Sequence, residues 1–174
     1  MKNVMLSLVL FFKIVITALS QEKAIITLNG IPQSATKSAI QKQFGAPINI
    51  LTPNYECGFL SSDEQGEVFY SMEYDGFKWT GNEKQNYVLD ELKMEKAAGL
   101  ILVFQGQIID QNTTSTTFLA LADDLEISVD VGANAWSIDK EMEVISIIVW
   151  LVDDAYNFYF VNDRFNFLEY WSPC

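Results

Sequence analysis

The sequence predicts an α+β fold made of two pseudo-repeats, about residues 24–96 and 98–172, each a short helical segment packed on an antiparallel sheet of about three to four strands. Three observations predict it. Short alternating runs rich in aromatic and β-branched residues recur along the chain, bounded by turn residues. Each half opens with a strand ending in a turn dipeptide, Asn29-Gly30 or Gln105-Gly106, before the pattern changes to a helical period. "DGFKW" (75–79) also lines up with "DAYNF" (154–158), so corresponding features of the halves lie roughly 76 to 79 residues apart.

In the first half, "AIITLNG" (24–30) reads as a strand running into an Asn-Gly turn. A helix follows within 31–47, capped by Ser34 or Thr36, with Ala35, Ala39, Ile40 and Phe44 as its apolar side and Gly45 and Pro47 as its stop. The stretch "NYECGFLSSDEQG" (54–66) is polar and turn-rich and reads as irregular surface. "EVFYSMEYDGFKW" (67–79) alternates about Asp75-Gly76 and predicts a hairpin; a turn at 80–86 then leads to the strand "YVLDELKM" (87–94).

The second half repeats this order. "GLILVFQG" (99–106) is a strand, and the threonine-rich "NTTSTTFLALADD" (112–124) holds the helix position, with Phe118, Leu121 and Ala122 as its apolar side. "EVISIIVWLVDDAYNFYFV" (143–161) predicts a hairpin and "RFNFLEYW" (164–171) a closing strand. The run Val144 to Val152 is nearly all apolar, as in a strand covered on both faces.

Residues 1–20 have a basic start at Lys2, an apolar run from Val4 to Leu19 and a small-x-small end at Ala18-Leu19-Ser20, the pattern of a signal peptide. The run is interrupted by Lys13 and is shorter than the roughly 20 apolar residues of a spanning helix. The expectation is a secreted or periplasmic domain, residues 21–174, with no stable membrane insertion after cleavage. Loss of Lys2 and Lys13 would take the net charge from −12 to −14. A surface so acidic repels phosphate backbones, so nucleic acid is not an expected partner and a basic protein is.

The chain has two cysteines, Cys57 and Cys174, and in an exported protein a disulfide between them is expected, with two free thiols as the alternative. The bond would close a loop of about 116 residues, worth about 5 kcal/mol in the chain-entropy account. There is no histidine, which excludes histidine-based triads and metal sites, and there are too few thiols for a closed zinc site. No glycine-rich phosphate loop is present, and the one arginine, Arg164, is expected to pair with Asp163 or Asp154. The acid pairs Asp63-Glu64, Asp123-Asp124 and Asp153-Asp154 read as solvated turns rather than as glycosidase carboxylates or calcium ligands. Asp130, Asn134 and Asp139 supply oxygens without the calcium-loop spacing. The expectation is therefore a protein that is not an enzyme and holds no cofactor or metal.

A strand, the helix "SATKSAIQKQFGAP" and a following antiparallel sheet, repeated in tandem over residues 24–172, resemble the modules of the beta-lactamase inhibitor protein and of small outer-membrane assembly lipoproteins. The resemblance implies a fold and a tendency to bind proteins, and it assigns no site. The chain departs from it in lacking a paired disulfide in each half and a lipidated cysteine.

The aromatic residues are too many for one inner face of alternating strands. Phe77, Trp79, Trp136, Tyr156 and Tyr159 are the candidates for an exposed row, against core filling as the plain alternative. Such a row would serve a binding or inhibitor-like protein or, alternatively, a carbohydrate-binding envelope protein.

Overall fold

A computed structural model describes residues 26–53, 68–122, 127–130, 142–148 and 154–171. The fold is α+β with mainly antiparallel strands. The first half contributes β1 (Ile26–Leu28), β2 (Ile31–Pro32), β3 (Ser34–Ala35), α1 (Lys37–Phe44), β4 (Asn49–Leu51), β5 (Tyr70–Tyr74), β6 (Phe77–Gly81) and β7 (Tyr87–Lys93). After a short 3₁₀ turn come β8 (Leu102–Phe104), β9 (Gln107–Ile109), α2 (Ser115–Leu121), β10 (Ile127–Asp130), β11 (Met142–Ile148), β12 (Ala155–Val161) and β13 (Arg164–Trp171).

The two turn dipeptides fold as the sequence requires. Asn29 and Gly30 have φ of 48° and 79°, and Gln105 and Gly106 have 50° and 80°. Two consecutive positive φ values match the right-handed twist of a hairpin. The hairpins join edge to edge, β1 against β8, in a four-stranded sheet ordered β2-β1-β8-β9. Asn29 ties them further: its N–H donates to the Ile101 carbonyl (2.8 Å), and its Oδ1 accepts from the Ile101 N–H (2.6 Å).

The larger sheet runs β10-β11-β12-β13-β7-β6-β5-β4, with β3 also paired to β7. Its seam is β13 against β7, where Leu168 opposes Leu92 and Glu169 opposes Glu91. Strands from both ends of the chain thus form one hydrogen-bonded surface, and the seam sets up the site described below.

Each helix begins where a threonine takes an otherwise unpaired N–H. Thr36 Oγ1 accepts from the Ala39 N–H, and Thr114 Oγ1 from that of Thr117. α1 ends at Gly45, whose φ of 81° suits a residue without Cβ. In α2 the threonines fall at the cap and first turn, where their low helix propensity costs least. Phe118 of α2 is fully buried, stacks on Phe104 of the small sheet (ring centroids 4.7 Å apart) and packs at a tilt against Phe158 of the large one (4.3 Å). Such aromatic pairs contribute about 0.5–1.5 kcal/mol each beyond their buried area.

Four strands, β3, β4, β9 and β10, depart from the sequence expectation. β4, to which the sequence reading assigned no element, pairs with β5 although all three of its residues are exposed, so it carries no apolar alternation to read. β9 and β10 are short edge elements, and Ala35 lies in β3 rather than in the helix.

Candidate functional site

Alternation along the large sheet turns Met72, Trp79, Leu89, Leu92, Phe158 and Leu168 into the core. The other face presents Ser71, Lys78, Thr80, Glu91, Tyr159, Phe167 and Glu169. A bulge adds a step to it. Lys78 opposes Glu91 and Trp79 opposes Leu89, which leaves Asp90 as an extra residue, so Asp90 and Glu91 both stand on the side of Lys78.

The polar groups on this face form a connected set. Ser71 Oγ lies 2.7 Å from Thr80 Oγ1, and Thr80 donates to Asp90 Oδ2 at 2.6 Å. Lys78 Nζ reaches Asp90 Oδ2 at 3.1 Å and Glu91 Oε1 at 2.7 Å. Across the seam, Glu91 and Glu169 are register partners, and like charges directly opposite repel. Lys93 stands 4.0 Å from Glu91, and the Tyr159 hydroxyl donates to Glu169 Oε2 at 2.6 Å. Burial, and then this hydrogen bond, push the Tyr159 phenol far above its ordinary range, so it remains a donor. Its ring packs on Phe167 at 5.3 Å.

The predicted aromatic row is corrected by burial. Phe77 (8% exposed), Trp79 (0%) and Tyr156 (1%) belong to the core, because their strand positions point toward the layer of α1 and the small sheet. Tyr159 alone of the described candidates lies on the other face, joined by Phe167 and by Trp171, which is 48% exposed. Trp136, Cys57 and Cys174 lie outside the described residues, as do Asp63-Glu64, Asp123-Asp124, Asp153, Asn134 and Asp139. Asp130 is described only as a β10 residue opposite Val144.

Arg164 is also corrected. It donates to the Asn112 carbonyl at 2.6 Å, while Asp163 accepts from Ser115 and Asp154 accepts from the Tyr170 hydroxyl. The turn before β13 orients Asp163 toward α2 instead of toward its neighbour. The sequence reading missed the Lys78, Asp90, Glu91 and Glu169 set. The signal for it was available: two adjacent acids interrupt the alternation of "YVLDELK", as a bulge does.

Among the described residues, no group of three or more metal-ligating side chains comes together, and no helix is long and apolar enough to cross a membrane. No family model matches the chain, and neither curated proteins nor solved structures give a match. The face therefore has to be interpreted from its own chemistry. Glu91, Glu169, Lys93 and a donor phenol make up the partly exposed part of this face, and Ser71, Thr80 and Asp90 are its buried part.

Proposed function

We propose that this is an exported, non-catalytic binding or inhibitor-like protein that holds a basic partner protein on the face of the large sheet opposite its helices. The carrying observation is the Glu91–Glu169 opposition at the seam, set beside Asp90 and an aromatic pair, Tyr159 and Phe167. A lysine or arginine from a partner placed between the two glutamates would relieve their repulsion. The aromatics would supply the apolar contact of an interface centre. In this reading the chain is a tandem duplication. The strand order supports it: β10, β11, β12 and β13 follow one another toward the seam in chain order from one side, as β4, β5, β6 and β7 do from the other. Export through residues 1–20 and a Cys57–Cys174 disulfide complete the proposal.

The carbohydrate alternative is weakened by the burial of Phe77, Trp79 and Tyr156, which removes most of the stacking row it requires. A partner screen with the immobilised protein tests the proposal. A partner held by the wild type should be released by raised salt and lost from a Glu91→Gln/Glu169→Gln variant. Binding indifferent to both changes would sink the protein-partner reading. Native mass spectrometry without reductant tests the rest: a chain beginning at Gln21 and lacking two hydrogens supports export and the disulfide, and an uncleaved chain or free thiols refute the respective claim.

A further inference from the structure

Asn112-Thr113-Thr114 is an asparagine followed two residues on by a threonine, with no proline between them. In an exported chain that is the acceptor signal for an N-linked glycan. None of the chain's other asparagines has serine or threonine in that place. The plain alternative is that Asn112 serves the fold, because asparagine favours side-chain-bonded turns, helix caps and left-handed backbone. The structure uses it for none of these.

Asn112 is exposed, in the turn between β9 and α2. Its neighbours build that turn. Asp110 Oδ1 accepts from the Asn112 N–H at 2.8 Å, Thr113 Oγ1 accepts from the Asp110 N–H at 3.1 Å, and the Thr113 N–H donates to the Asp110 carbonyl at 3.0 Å. Thr114, not Asn112, caps α2. Among the described residues, positive φ outside glycine is confined to Asn29, Gln105, Asn162 and Asp163. The Asn112 side-chain amide makes no hydrogen bond among the described residues; only its backbone is engaged.

That backbone is held from the far end of the chain. Arg164 Nη1 donates to the Asn112 carbonyl at 2.6 Å, and the Phe165 N–H donates to the Thr113 carbonyl at 3.0 Å. The turn is thus fixed while the amide stands free in solvent, where a bulky polar group displaces no contact. Such a group would also stand beside β9, an edge strand on which Ile108 is 66% exposed, and bulk there hinders pairing with another chain. Because α2 packs on the core side of the large sheet, through Phe118 against Phe158, the Glu91–Glu169 face stays clear.

We propose that Asn112 carries an N-linked glycan, an inference that rests on the export reading. In the transfer, Asn112 Nδ2 forms a bond to the anomeric carbon of an oligosaccharide carried on a polyprenyl diphosphate. The bond from that carbon to the diphosphate oxygen breaks, the amide gives up one proton, and the polyprenyl diphosphate leaves. In the folded protein Thr114 Oγ1 accepts from the Thr117 N–H at 3.1 Å and lies 2.8 Å from Thr117 Oγ1. The acceptor signal needs that hydroxyl, so the transfer precedes the folding of α2.

The test is the intact mass and peptide map of the protein purified from its native cells, before and after treatment with a peptide N-glycosidase. The expected result is a chain beginning at Gln21 with a hexose and N-acetylhexosamine mass excess, which the enzyme removes, leaving aspartate at position 112. Asn112→Gln, produced in the same cells, should fold and lack the excess entirely. Thr114→Asp keeps Asn112 and an oxygen able to cap α2 but removes the hydroxyl, and should lack it too. A chain beginning at Gln21 with unmodified Asn112 overturns the glycan and leaves export standing, whereas an unmodified chain that keeps residues 1–20 overturns both. A glycan that persists at Asn112 in the Thr114→Asp variant also overturns the proposal, because the acceptor signal would not be directing it.

Discussion

Thr80 donates a 2.6 Å hydrogen bond to Asp90, a carboxylate only 3% exposed that also lies 3.1 Å from the Lys78 ammonium. The bulge that puts Asp90 on the same side as Glu91 makes this geometry possible. Removing one member of a buried charged set leaves the others incompletely paired. Asp90→Ala should therefore destabilise the fold by about 3 kcal/mol. Thr80→Val removes a neutral hydroxyl that donates to Asp90 and partners the Ser71 hydroxyl, and should cost about 1–2 kcal/mol. Urea denaturation of both variants and of the double variant measures the coupling; strict additivity would show that the two side chains do not act as a unit.

Trp79, fully buried, belongs to the energetics of folding rather than to the binding surface. Trp79→Ala should cost about 3–5 kcal/mol through lost burial and a cavity. Trp79→Phe should be milder, because it also removes the Nε1–H that has no partner among the described residues. Denaturation curves give the cost, and partner affinity of the folded Trp79→Phe protein should equal that of the wild type.

Much of this architecture was legible in the sequence because short-range rules govern it. The Asn29-Gly30 and Gln105-Gly106 turns, the Thr36 cap, the Gly45 stop and β13 all rest on the preferences of a few adjacent residues. What the sequence reading missed depends on long-range partners. β4 has three exposed residues and exists only because β5 offers it an edge. The inward turn of Trp79 and the outward turn of Tyr159 follow from which face the helices cover, and alternation alone does not tell the two faces apart. The Glu91–Glu169 opposition joins residues of different halves, so no local pattern could have placed it.

Four tyrosines, Tyr74, Tyr87, Tyr156 and Tyr159, have phenol pKa values raised first of all by burial. The folded state thus keeps protons that the unfolded chain gives up, and stability from these groups is complete below pH about 10 and declines as the pH rises further. Chemical denaturation across the alkaline range should show this decline, and Tyr159→Phe should flatten it. Phenolate absorbance should show Tyr156 ionising only together with unfolding. Free ionisation of all tyrosines in the folded protein would refute the assignment.

Gly76 and Gly106 both have positive φ, 85° and 80°, but differ in surroundings. A Cβ on Gly76 would come within 2.6 Å of Lys96 Cβ, whereas one on Gly106 would meet nothing within 4 Å. Gly106→Ala should cost about 1 kcal/mol, from φ alone. Gly76→Ala adds displacement of the 3₁₀ turn and should cost about 2–3 kcal/mol. Equal thermal shifts for the two would show that the turn after β7 yields freely.

Asp163 joins the β12–β13 turn to the start of α2 through two bonds from Ser115, each 3.0 Å. Its φ of 56° lies in the left-handed region, which Asp and Asn enter more readily than most residues. Asp163→Asn keeps both the turn and an acceptor and loses only the charge at the first helical turn, so it should cost about 0.5 kcal/mol. Asp163→Ala also loses both acceptor bonds and is strained at this φ, and should cost about 2 kcal/mol. Since α2 carries Phe118 into the junction of the two sheets, the loss should reach both of them, with faster amide exchange in β8 and β12 together. Faster exchange confined to α2 would mean that the loss of the Asp163 anchor stays local to the helix.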